Sequence, residues 1–98
     1  MKEHEKFKRI LEQKKAANPR WRGAEKLLYN ERGYGIPDGR TPSGRPIELK
    51  PHTQSGIQQG RKQLEKYEDA SGQRGILVLY DKVTGQKTYI RTPYQTLQ

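Results

Sequence analysis

The sequence contains no cysteine, a single tryptophan, a single phenylalanine and no long apolar segment. Without cysteine the chain can form neither disulfides nor a thiolate metal site, and its redox compartment stays open. No stretch approaches the length of a membrane span or the core of a signal peptide. If the chain is exported, we therefore expect it to travel as part of a larger protein. Only 30% of the residues are hydrophobic, which predicts a small core of modest stability.

Acidic residues are also scarce, because 11 Asp and Glu are outnumbered by 20 Lys and Arg, a formal net charge of +9. This excess predicts a polyanionic or acidic partner and does not choose among nucleic acid, an anionic membrane surface and an acidic protein. The length of 98 residues fits one domain, and the chain has no internal repeat or low-complexity linker.

Two helices are predicted in the first third of the chain. Residues 3–16 combine many charges with a narrow apolar stripe, which is typical of a surface helix. Asn18 as N-cap and Pro19 at the first helical position predict a second helix that runs to about Asn30. The stripe of the first helix consists of Phe7, Ile10 and Leu11.

A third helix is predicted to begin at Ser55, with Gln58 completing a capping box, and to end at Ser71-Gly72. One glycine on its inward face, Gly60, would allow close approach to a sheet. The predicted inward face consists of Ile57, Gly60, Leu64 and Tyr67.

Four strands complete the pattern. Two short strands, Ile36–Thr41 and Arg45–Lys50, flank the turn residues of "TPSG". The apolar run "GILVLYD" at 75–81 predicts a buried strand, and a turn at Thr84-Gly85 leads into a returning strand.

In chain order the elements are α-α-β-β-α-β-β. A helix between two strands implies a parallel pair inside a mixed sheet. We therefore predict an α/β (α+β) fold with a small mixed sheet of about four strands and flanking helices. It would comprise an N-terminal charged helix at 1–17, a core at 19–91 and a polar tail at 92–98.

The hairpin at 36–50 brings chemistry-bearing residues together. A three-residue loop, Pro42–Gly44, would set Asp38 opposite Glu48, with Cβ atoms about 5 Å apart. Lys50 follows on the same face of its strand. Two opposed carboxylates repel each other when no cation is present, but a divalent cation between them makes the electrostatic interaction favourable. Carboxylate oxygens are ligands that suit Mg²⁺ or Mn²⁺. Alternatively, Asp38 only caps the turn that Pro37 begins.

Pro37-Asp38 followed by Glu48-Leu49-Lys50 resembles the signature of the PD-(D/E)xK nuclease superfamily. The resemblance implies a restriction-endonuclease-like fold and a metal-dependent endonuclease. Asp38 and Glu48 would bind the metal, Mg²⁺ or else Mn²⁺ or Zn²⁺, with the Leu49 carbonyl as a third ligand. Lys50 would act on the attacking water.

Three further residues extend this resemblance. Glu25 on the preceding helix matches a metal-associated glutamate of many members. Gln63 and Tyr67 match the Gln-x-x-x-Tyr motif of RecB-like branches and share one helical face, where they would complete the site. Alternatively, Gln63 is a solvated glutamine and Tyr67 is a core aromatic with a solvated hydroxyl.

Residues 20–81 also resemble nuclease domains at the C-terminal tips of bacterial polymorphic toxins, of the contact-dependent inhibition and Rhs types. This similarity implies a domain delivered by a larger exported toxin, which cleaves nucleic acid, DNA in preference to RNA, in the cytoplasm of a neighbouring bacterium. An acidic immunity protein would protect the producer. A free-standing, cytoplasmic nuclease of a phage or mobile element would also fit.

Basic residues near the hairpin and on the third helix could hold phosphates. These are Arg40, Arg45, Arg61, Lys62 and Lys66. Two alternatives remain open. One is a metal-free, tRNA-cleaving ribonuclease in which His52 works with Lys50 or Arg61. The other is a non-catalytic nucleic-acid-binding module that relies on the net charge alone.

Overall fold

The computed structural model describes residues 2–23, 29–30 and 33–91 of the chain. Two helices and six strands lie within these ranges, and neither helix has the length and apolar character that a bilayer crossing requires. The helices are α1 (Lys2–Ala17) and α2 (Gln54–Ser71), and the strands are β1 (Tyr29–Asn30), β2 (Gly33–Tyr34), β3 (Gly39–Arg40), β4 (Pro46–Pro51), β5 (Ile76–Tyr80) and β6 (Lys87–Arg91).

A mixed sheet of four strands forms the centre of the fold, in the order β3-β4-β5-β6. The outer pairs β3/β4 and β5/β6 are antiparallel, and β4/β5 is parallel. The parallel pair arises because α2 connects the two strands, as the helix between them predicted. The predicted four-strand mixed sheet with flanking helices is thus confirmed, while β1 and β2 form a separate antiparallel pair.

The hydrophobic core divides into two clusters because successive side chains of a strand point to opposite faces of the sheet. On one face, Leu49 and Val78 pack with Phe7 and Leu11 of α1. On the other, Leu77 packs against α2 in a cluster completed by Leu79, Leu64 and Tyr67. The alternation therefore places Glu48, next to Leu49 in β4, on the α2 side of the sheet.

The predicted second helix is wrong at both of its described ends. Asn18 is not an N-cap; its N–H donates to the Lys14 carbonyl at the end of α1, and its Oδ1 accepts the N–H of Arg20 at 3.1 Å in a local turn. Arg22 then exchanges two backbone hydrogen bonds with Arg40, at 3.0 and 2.9 Å, and Tyr29–Asn30 is strand β1. Backbone pairing with β3 thus outweighs the local helix signal. Residues 24–28 lie outside the described residues, as does the predicted tail at 92–98.

The predicted N-cap of α2 is also wrong. The cap is Thr53, whose backbone is extended and whose Oγ1 accepts the N–H of Gly56 at 3.0 Å. A Cβ at Gly56 would overlap the carbonyl oxygen of Pro51, so β4 passes into α2 through a tight connection that leaves Ser55 already inside the first turn. The C-terminal prediction is confirmed, because Gly72 has φ of 70° and its N–H donates to the Glu68 carbonyl.

Gly60 lets α2 approach the sheet, as predicted. A Cβ there would overlap the fully buried Leu77 and lie 3.3 Å from Cγ of Lys50. We expect Gly60→Val to lower the free energy of unfolding by about 1–3 kcal/mol because the core would be overpacked. Urea denaturation measures this. Gly23→Val is the matched control, because a Cβ at Gly23 has no neighbour within 4 Å, and equal losses in both variants would contradict the close approach.

Candidate metal centre

The turn between β3 and β4 sets the register of the hairpin. The N–H of Thr41 donates to the Arg45 carbonyl at 3.0 Å, and the N–H of Gly44 donates to Thr41 at 2.9 Å. Gly44 has φ of 94°, the left-handed conformation that closes a three-residue hairpin loop. Beyond the loop, Arg40 pairs with Pro46 and Gly39 with Ile47. The predicted loop and register are confirmed.

Asp38 departs from the register that the hairpin predicts. The β3/β4 ladder ends at Gly39, and the N–H of Asp38 donates to the Ile47 carbonyl at 2.9 Å. Its carboxylate Oδ2 instead accepts the N–H of Leu49 at 2.7 Å. The side chain of Asp38 therefore takes the place of a strand partner beside β4. The predicted direct pairing of Asp38 with Glu48 is wrong, although the two carboxyl groups do come close. The alternative that Asp38 only caps its own turn is also wrong, because its carboxylate bonds across the hairpin to Leu49.

Glu48 is the buried acid of the site, with 6% of its surface exposed. Burial on the α2 side of the sheet and, to a lesser extent, the negative charge of Asp38 raise the pKa of Glu48 to about 8, against a lowering by Lys50. The Nζ of Lys50 lies 3.6 Å from Oε2 of Glu48, on the same face of β4 as predicted. The three predicted side chains thus share one patch.

Tyr67 closes the α2 side of this patch. Its hydroxyl donates to the Ile36 carbonyl at 3.1 Å, and its ring lies so close to Gly35 that a Cβ there would overlap it. Burial raises the pKa of Tyr67 well above its ordinary value, and the charges of Glu48 and Asp38 add to the effect. Tyr67 is therefore a core aromatic and also a neighbour of both carboxyl groups.

The other members of the predicted motif are less well placed. Gln63 lies one turn before Tyr67 on α2 and is partly buried. Its side chain has no hydrogen bond to any residue that the structure describes. Glu25, the predicted third acid, lies outside the described residues.

His4 is a member of the patch that the sequence did not reveal. Its Nε2 lies 3.8 Å from Oδ1 of Asp38, and its ring meets Tyr80 edge-on at 6.4 Å. The signal was present in the spacing, since His4, Phe7 and Leu11 at i, i+3 and i+7 share one helical face. That face packs against the sheet and places His4 beside Asp38, just before the start of β3.

The predicted phosphate-binding residues separate into two groups. Arg45 is held within the fold, because Nε donates to the Arg74 carbonyl at 3.0 Å and Nη2 contacts that of Gly75 at 3.4 Å. Arg40 is half-buried beside the hairpin turn, and His52 is exposed between β4 and α2. The predicted residues on α2 are exposed or half-buried: Arg61, Lys62 and Lys66.

The donor set fits a hard divalent cation. Asp38 and Glu48 offer carboxylate oxygens, and the Leu49 carbonyl points to the same side of β4 as its N–H, towards Asp38. Mg²⁺ binds through one or two carboxylates and keeps several waters, so this set suffices for it. Across the residues that the structure describes, no three His, Cys, Asp or Glu side chains lie close enough to share one metal ion.

Comparison of the chain with protein-family models, curated proteins and solved structures gave no match. The chemical roles of these residues therefore rest on the geometry of the patch and on the spacing of the motif.

Proposed function

We propose that the protein is a metal-dependent endonuclease that hydrolyses phosphodiester bonds in nucleic acid. One observation carries the proposal: Glu48 is buried beside a second carboxylate and within 3.6 Å of a lysine amine. Two ionised carboxylates there are unfavourable, and the Lys50 ammonium offsets this only in part, since the pKa of Glu48 remains at about 8. A fold that retains this cost in its core is typical of a functional site.

Asp38 and Glu48 would hold the cation, which is Mg²⁺ or else Mn²⁺ or Zn²⁺, together with the Leu49 carbonyl. A cation bound there would polarise a phosphate and lower the pKa of a neighbouring water. The ammonium group of Lys50 would orient the attacking water or stabilise negative charge that develops on the phosphate.

The remaining predicted residues would support this core. Tyr67 holds the segment before Asp38 through its bond to Ile36, and Gln63 would position the substrate from the same face of α2. Glu25 would support the metal shell. The net charge of +9 favours a nucleic-acid substrate, and we propose DNA in preference to tRNA.

The resemblance to polymorphic toxin tips supplies the biological setting of the proposal. In that setting the domain is delivered into a neighbouring bacterium within a larger toxin and acts in the cytoplasm of that cell. The producer would carry an acidic immunity protein, because a basic surface is complementary to an acidic partner.

The test is cleavage by protein stripped with EDTA, with Mg²⁺, Mn²⁺ or Zn²⁺ added back, on supercoiled DNA, linear DNA and total tRNA. We expect cleavage only with added metal. Asp38→Asn should reduce it by about 10- to 100-fold, because asparagine keeps an acceptor for the Leu49 N–H but loses the charge. Asp69→Asn, at an exposed position of α2, is the control. Cleavage of tRNA in EDTA would support the metal-free reading with His52 instead.

A second candidate is a non-catalytic nucleic-acid-binding module. It is favoured by the net charge and by the absence of a three-ligand cluster in the described part of the chain. Binding that weakens steeply with salt, without cleavage under any metal and without metal binding in calorimetry, would establish this candidate.

A further inference from the structure

A group of arginines lies at the hairpin turn, which follows β3 in the chain, whereas Asp38 precedes β3. A cavity of about 370 Å³ is lined by three arginines, Arg20, Arg22 and Arg40, and by the turn residues 41–44. The backbone pairing of Arg22 with Arg40 creates it, because these two hydrogen bonds bring the segment after α1 against β3. The volume lies within the range of small-ligand sites.

Arg40 is incompletely bonded in this cavity. Among the residues that the structure describes, its buried Nε has no hydrogen-bond partner, and its Nη2 contacts the Gly44 carbonyl at 3.4 Å. No carboxylate in the described residues forms an ion pair with Arg40 or with Arg20. An unsatisfied buried donor costs about 1–3 kcal/mol, and several guanidinium groups at one cavity repel one another. An anion in the cavity would relieve both costs.

Phosphate is the anion that this geometry fits. A guanidinium presents a planar fork of N–H donors that binds two phosphate oxygens at once. The hydroxyls of Thr41 and Ser43 line the same cavity and share a hydrogen bond at 3.0 Å, so one donates to the other and the second can donate to a remaining oxygen.

We propose that the cavity of Arg20, Arg22 and Arg40 binds a phosphate group of the nucleic-acid substrate. The proposal rests on the proposed function for the identity of this ligand. Arg40 is two residues from Asp38, about 7 Å along an extended chain. The cavity thereby fixes the position of the substrate relative to the metal centre.

The test measures binding separately from cleavage, by fluorescence anisotropy of labelled oligonucleotides in EDTA over a range of salt concentrations. We expect Arg40→Gln to weaken binding about tenfold and to reduce the salt slope by about one. Arg40→Lys keeps the charge without the fork and should recover only part of the affinity. Arg9→Gln, at an exposed position of α1 outside the cavity, removes the same charge and should weaken binding less than about twofold.

Arg20→Gln is a second variant that tests the cavity without a folding defect. Because Arg20 is exposed, this substitution should weaken binding without changing the thermal unfolding temperature. Equal effects of Arg40→Gln, Arg20→Gln and Arg9→Gln would overturn the proposal, since only general charge would then matter. Oligonucleotides with and without a 5′-phosphate, and competition by inorganic phosphate, distinguish an internal phosphate from a terminal or free one. If binding depends on Arg40 but no metal supports cleavage, the proposed phosphate site is supported and the nuclease proposal is overturned. Metal-dependent cleavage, together with an Arg40→Gln variant that binds no more weakly than Arg9→Gln, would support the nuclease proposal and overturn the proposed phosphate site.

Discussion

Glu48→Gln is expected to abolish most metal-dependent cleavage, by at least about 100-fold, and to leave the fold intact. Glutamine has the shape of glutamate but cannot carry the negative charge that would hold a cation. The fold should tolerate it because the pKa of Glu48, about 8, keeps the acid largely neutral at pH 7 without metal. Initial cleavage rates in Mg²⁺ and Mn²⁺ measure the effect.

The matched control for this substitution is Glu65→Gln. Glu65 lies on the exposed face of α2, so the control makes the same change in net charge away from the patch. Its cleavage rate should stay within about twofold of the wild type. If Glu48→Gln cleaves as fast as Glu65→Gln, Glu48 has no part in the reaction.

In EDTA the free energy of unfolding should fall as the pH rises from about 4.5 to 8. The folded protein holds the Glu48 proton up to about pH 8, whereas the unfolded chain releases it near 4.5. Within this window the folded state binds more protons, so its stability decreases with pH and levels off above 8. The loss should amount to a few kcal/mol between the two limits. Urea denaturation at pH 5, 6, 7 and 8 measures it.

Glu48→Gln should remove this pH dependence, because glutamine does not titrate. Two other perturbed groups act outside the window. Backbone N–H bonds from Thr84 and Val83 lower the pKa of the exposed Asp81, and burial raises that of Tyr67. If stability instead rises between pH 5 and 8, Glu48 is ionised in the folded protein without metal. A cation that binds only the folded state should restore stability at pH 8 by mass action.

Local signals in the sequence predicted the elements that flank the site. The spacing of Gly60, Leu64 and Tyr67 identified the buried face of α2, because a helical period is visible in the sequence itself. Pro42–Gly44 fixed the register of the hairpin, since loop length and a left-handed glycine determine how the two strands pair. Lys50 then followed Glu48 on one face by the period of a strand.

The features that the sequence did not predict all depend on contacts between distant segments. The helix predicted after Asn18 gives way to backbone pairing between Arg22 and Arg40, which no local propensity encodes. The direct facing of Asp38 and Glu48 fails because the Asp38 carboxylate bonds to the Leu49 N–H instead. His4 reaches the patch only because α1 packs on the sheet through Phe7 and Leu11.

The carboxylate of Asp38 also governs how β4 meets other chains. Strand β3 pairs only with Pro46 and Ile47, so among the described residues the rest of this edge of β4 has no strand partner. An open strand edge is a template for aggregation when its amides are free. Here Asp38 occupies the Leu49 amide, and Pro51, the next position on that side, has no N–H to offer. The residue proposed to bind metal thus also protects the sheet against addition of a foreign strand.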